Sequence, residues 1–132
     1  MEDHEPYQIR FNHPPDFIVD YRILTEAEGG RRTPVYQGIR WDLWYKVPEL
    51  TGNHLWMVWP EFLDEAGSVI IQRDTPVAVT GRAALWIVSE SMRPFHQQRI
   101  DVGMLGFARE GARNVATYQV TELVGLMTNP VA

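Results

Sequence analysis

Short runs of alternating apolar and polar residues, none of them keeping a helical repeat, constrain this chain most. Phe17, Val19, Tyr21 and Ile23 alternate with Asp20 and Arg22. Ile39, Trp41, Leu43 and Tyr45 alternate with Arg40, Asp42, Trp44 and Lys46. A period of two sends successive side chains to opposite faces of a strand, so each run over 17–24 and 38–46 buries one face. Residues 83–88, 100–109 and 115–124 are further strand candidates, with shorter ones at 69–71 and 77–79. The apolar run 54–59 is closed by Pro60, and Glu110-Gly111-Ala112-Arg113-Asn114 reads as a hairpin turn. No segment sustains a 3.6-residue repeat. Many short strands between turn signals predict an all-β sandwich or barrel. Trp41, Leu43 (or its neighbour Ile39) and Val120 are expected in the core, and Trp86 is also read as core.

The length of 132 residues fits one domain with a real core, and 45% apolar content argues against disorder. We expect a barrel over 16–125, a flexible or loosely docked arm over 1–15, and a frayed tail over 126–132. Pro6, Pro14 and Pro15 prevent a helix running through the arm, and Pro130 interrupts the tail. The acidic start lacks the apolar segment of a secretory leader. No run approaches the roughly 18 apolar residues of a membrane span, so no membrane association is expected. Cysteine is absent, which excludes disulfides, thiolate metal sites and a cysteine nucleophile, and fits a cytoplasmic setting.

Little in the sequence carries catalytic chemistry. There is no G-x-x-x-x-G-K-S/T phosphate loop, so the chain should neither bind nor hydrolyse GTP. His4, His13, His54 and His96 lack metal-ligand spacing. Ser68, Ser89 and Ser91 sit in no nucleophile motif. Asp16, Asp20 and Asp42 read most simply as solvated strand residues. No cofactor is expected, and the chain is read as a non-enzyme. The net charge of −5 lowers the expectation of nucleic-acid binding, because phosphate neutralisation needs a basic surface. Five tryptophans serve either as core or as contact anchors. Trp44 lies with Arg40, Asp42 and Lys46 on the mostly polar face of its run, which makes Trp44 and Arg40 partner-binding candidates.

A loop between the first two alternating runs carries Glu28-Gly29-Gly30-Arg31-Arg32-Thr33-Pro34, followed by Gly38-Ile39-Arg40 and Leu50-Thr51-Gly52. Phe107-Ala108-Arg109-Glu110-Gly111-Ala112-Arg113-Asn114-Val115 follows near the end. Together these stretches resemble the C-terminal β-barrel, domain 3, of elongation factor Tu. That family reads E-G-G-R-H-T-P and V-T-G in the first region and F-A-I-R-E-G-G-R-T-V-G-A-G in the second. The resemblance spans about residues 16–124 and is weak over about 53–104. It implies a six-stranded antiparallel β-barrel used as a binding surface for aminoacyl-tRNA and for proteins.

Carried over residue by residue, the resemblance half preserves the RNA site. Arg31 keeps the family arginine, Arg32 stands for a histidine, and Thr51 keeps the threonine of the V-T-G turn. Asp42 stands for a glutamine and sets an anion near phosphate. Ala116-Thr117-Tyr118 replaces G-A-G and fills space that glycine leaves to an approaching backbone. Trp41 replaces a proline. The expectation is therefore a stand-alone, non-catalytic binding module related to translation. A protein partner comes first, and a decoy for a toxin that uses the elongation factor's barrel is one concrete version. A tRNA or other RNA ligand held by Arg31, Arg32 and Thr51 is the alternative.

Overall fold

The computed structural model describes residues 2–52 and 54–132. Met1, the first residue of the expected arm, and Asn53 lie outside the described residues. Among the described residues six strands form: β1 (Phe17–Ile23), β2 (Asp42–Trp44), β3 (Val58–Leu63), β4 (Thr80–Ile87), β5 (Leu105–Glu110) and β6 (Arg113–Leu123). They make one sheet in the order β2-β5-β6-β1-β4-β3, and every neighbouring pair is antiparallel. The fold is the all-β, barrel-like one that the short strands predict. The α-helices among the described residues, α1 (Tyr7–Phe11) and α2 (Arg93–Gln97), have five residues each. Among the described residues no helix is long and apolar enough to cross a membrane.

Parity decides the interior. Phe17, Val19 and Tyr21 of β1 point inward with Val58 and Phe62 of β3, Ala83, Leu85 and Ile87 of β4, and Tyr118 and Val120 of β6. Trp41, Leu43 and Val120 are buried as the alternation requires. Each large apolar side chain enclosed there contributes about 1.5–3 kcal/mol. The run 38–46 is strand only over Asp42–Trp44, because Gly38 turns the chain at φ 98° before it and Pro48 follows. Residues 69–71 and 77–79 form no strand of their own. Val69 makes one bridge to Leu63, and Val77 donates its N–H to Val35.

The outer parity of β3 and β4 is also apolar. Trp59 and Trp86 point away from the barrel interior and pack with Tyr7, Phe11 and Ile18. Trp86 is thus buried, as expected, but in an outer cluster. Residues of the N-terminal arm supply its lid: the Tyr7 ring meets Trp86 edge-on at 6.0 Å, and Phe11 stacks on it at 5.7 Å. The arm is anchored by Glu61, whose Oε2 accepts from the Tyr7 N–H at 2.8 Å and lies 2.6 Å from His4 Nε2.

One end of the barrel is held by Asp16. Sequence reading makes it a solvated strand residue; the structure corrects this, because its side chain is fully buried. Asp16 Oδ1 accepts from Arg93 Nε at 2.8 Å and Asn129 Nδ2 at 3.0 Å, and Oδ2 accepts from the Ile87 N–H at 2.8 Å. Arg93 also donates to the carbonyls of Ile87 and Pro130. The tail is therefore packed where fraying is expected: Leu126 and Asn129 are buried. A buried carboxylate needs such partners, since burial unpaired is costly.

The sheet curls until β2 meets the segment just ahead of β3, where Leu43 and Trp56 form an antiparallel bridge with N···O distances of 2.9 and 3.1 Å. Beyond it the β3 edge is closed by other means. Phe62 turns its backbone away from β4. Its N–H donates to Gln37 Oε1 at 2.8 Å, and its C=O accepts from Gln37 Nε2 at 2.9 Å. Gln37 is buried, and its amide stands in for a strand residue. Pro60 has the same parity as Phe62, so the position facing the open edge has no N–H to offer.

Candidate functional site

The two stretches that carry the resemblance touch each other. Thr25 and Glu28 form a capping box around the 3-10 turn Glu26–Glu28. Gly29 then takes φ 91°, and Gly30 packs so closely that a Cβ there would stand 2.4 Å from the Leu24 carbonyl oxygen. Only glycine fits that approach. The turn delivers Arg31 to the β5–β6 hairpin, where its guanidinium pairs with Glu110 and with Thr33 Oγ1 at 2.9 Å. Trp41 Nε1 donates to the same Glu110 carboxylate at 2.9 Å. Arg31 is therefore occupied inside the molecule.

The other expected contact residues separate into different surroundings. Arg32 is 81% exposed, with a loose ion pair to Glu26 at 3.4 Å. Thr51 is exposed on the loop before Gly52, which sits at φ 87°. Beside the first loop, a hydrogen bond from the Arg22 guanidinium, followed by one from the Thr25 N–H, pulls the Glu28 carboxyl down to about 2. Arg40 leaves the Trp44 face altogether. Its guanidinium carbon lies 4.3 Å from the centroid of Trp59, over the outer cluster.

Trp44 lies on the outward face of β2, opposite Phe107 of β5. The two rings are 5.9 Å apart and tilted by 40°. The Arg109 guanidinium covers Trp44 at 5.0 Å, and Arg109 Nε donates to Asn114 Oδ1 at 2.7 Å. Leu105, two residues before Phe107 on the same face, is 68% exposed. Asp42 joins this face, and desolvation raises its carboxyl above the ordinary range. Asp20, Arg22, Thr117 and Gln119 continue it across β1 and β6 by register. The result is an aromatic and aliphatic centre with a charged rim, and among the described residues no segment lies over the exposed Leu105.

Sequence reading found Trp44 but missed Phe107, Leu105 and Arg109 as its companions. The signal was present, since all three share one parity in the run 100–109. Glu110 as the partner of Arg31 had no such signal. Among the described residues no group of three or more His, Cys, Asp or Glu is placed to hold a metal ion. No family model matches the chain.

Proposed function

We propose that this chain is a non-catalytic β-barrel binding module, similar to domain 3 of elongation factor Tu, whose partner is a cytoplasmic protein. The observation that carries the reading is the outer face of β2 and β5, on which Leu105 is exposed beside the partly buried Trp44 and Phe107. Trp44, Phe107 and Leu105 form an apolar centre there, bordered by Arg109 and Asp42. Buried aromatic anchors inside a polar rim are what protein interfaces use. The matching face over β3 and β4 is already covered by Tyr7 and Phe11. The pairing of Arg31 with Glu110 supports protein over RNA, because that guanidinium is not free to meet a phosphate.

The test is affinity capture from a lysate of the source cell, with and without nuclease, by the wild-type chain and by Trp44→Ala and Leu105→Asp variants. We expect capture of a defined protein that survives nuclease and weakens about thirtyfold or more in either variant, the range of an interface anchor. Leu105→Asp changes an exposed residue and leaves the fold intact, so its effect reports the face itself. Nuclease-sensitive capture that Arg32→Ala weakens, with a smaller salt slope, would replace the protein by an RNA ligand. Capture indifferent to both face variants would sink the assignment of this surface.

A further inference from the structure

Three arginines from three separate segments converge on one small pocket of about 140 Å³. Arg10 comes from α1, Arg40 from the loop before β2, and Arg73 from the loop between β3 and β4. Arg40 and Arg10 both lie against the Trp59 ring, at 4.3 and 5.7 Å from its centroid. Arg73 Nη2 lies 3.2 Å from where a Cβ on Gly38 would be, so the absence of a side chain at Gly38, at φ 98°, makes room for it. His4 and Glu5 complete the wall with Tyr7.

None of these arginines forms an ion pair or hydrogen bond with a described residue. Glu5 lines the pocket without pairing to them. The buried Glu61 behind it is engaged by His4 and the Tyr7 N–H. Like charges held together without a partner repel one another, and an entering anion relieves that repulsion. The net charge is −5, and Arg22, Arg31, Arg32, Arg93 and Arg99 are each paired with a carboxylate, whereas the three arginines here share one pocket.

The frame of the pocket is rigid. Gln37 pins the Gly38 loop to β3, and the His4 N–H donates to the Ile71 carbonyl at 2.8 Å, tying the arm to the loop that carries Arg73. The volume suits one tetrahedral oxyanion rather than a large ligand. Guanidinium groups brought from three segments match phosphate oxygens, which accept paired N–H donors.

We propose that this pocket binds a phosphate group, either as inorganic phosphate or as the head of a small phosphate monoester, through Arg10, Arg40 and Arg73. The site is separate from the Trp44 face and stands or falls independently of it.

The experiment is calorimetric titration of the full chain with inorganic phosphate and, separately, with glycerol 3-phosphate, alongside the NMR signals of the arginine Nε–H groups. Binding should saturate at one site, shift the Nε–H signals of Arg10, Arg40 and Arg73, and weaken about tenfold or more in Arg40→Gln and in Arg73→Gln. Tighter binding of the monoester identifies an esterified ligand, and equal or weaker binding identifies the free anion. Arg113→Gln removes the same charge from an exposed hairpin position and should leave affinity within about twofold. Equal weakening by Arg113→Gln would reduce the effect to net charge, and absence of any shift at millimolar phosphate would overturn the site. Because all three arginines are exposed, loss of binding in a variant that keeps its far-ultraviolet spectrum reports the pocket and not the fold.

Discussion

Arg93→Met is expected to destabilise the fold by about 3–5 kcal/mol, the cost of stranding one member of a buried ion pair. Asp16 and Arg93 are both fully enclosed, with Nε and Oδ1 2.8 Å apart. The pair joins the start of β1, the end of β4, helix α2 and the tail, since Arg93 also meets the carbonyls of Ile87 and Pro130. Removing the guanidinium leaves the Asp16 carboxylate with only Ile87 N–H and Asn129 Nδ2 as donors. Urea unfolding of Arg93→Met, Asp16→Asn and the double variant measures this directly. The double variant should cost clearly less than the sum of the two singles, because each single change exposes the other partner. A loss below about 1 kcal/mol for Arg93→Met would mean that the pair is not what locks this end.

Acid is expected to remove about 3 kcal/mol of stability as pH falls from about 6.5 to about 4, through one histidine. His96 is buried, with Nδ1 2.7 Å from the Tyr45 hydroxyl. Burial keeps the Tyr45 phenol protonated by raising its pKa, so the hydroxyl donates and the neutral ring accepts. The ring stands edge-on to Trp56 and Phe95, at 5.4 and 5.5 Å. Burial, followed by the charges of Arg99 and Arg93, lowers its pKa from 6.5 to about 4. The unfolded chain therefore takes up this proton first as the solution is acidified. The stabilisation is complete above pH 6.5 and disappears as pH falls through the folded value. Unfolding free energies across this range for wild type and His96→Gln should show a steeper decline in wild type. Parallel declines would assign the acid sensitivity elsewhere, whatever the absolute cost of the substitution.

What could be read from the sequence follows the reach of each interaction. Period two is local, so β1, β6 and the burial of Trp41, Leu43 and Val120 were legible. Parity also separates Trp86 from Leu85 and Ile87, but not which side is the barrel interior; that depends on Tyr7 and Phe11, far away in the chain. Asp16 resembles any polar residue before a strand, because its partner Arg93 lies 77 positions on. Arg31 looks like an exposed cation for the same reason, with Glu110 79 positions away. The candidate face was half legible. Trp44 stood out by parity, whereas its contact with Phe107 requires the β2–β5 register. Arg40 was assigned to that face by parity, but the strand begins only at Asp42, and upstream of it the alternation no longer fixes direction.

A fully stitched barrel is safe from indefinite growth because it offers no free ladder. This molecule reaches the same safety by a different route. Where β2 stops short, the Gln37 amide occupies both hydrogen-bonding groups of Phe62, and Pro60 withholds a donor from the same edge. An uncapped strand margin invites a neighbouring copy to add itself, and each addition presents a fresh margin. Here the boundary between a self-contained globule and a propagating sheet is kept by one side-chain amide, one proline ring and the short return of the chain at Val69 and Ile70, whose N–H reaches the same Phe62 carbonyl.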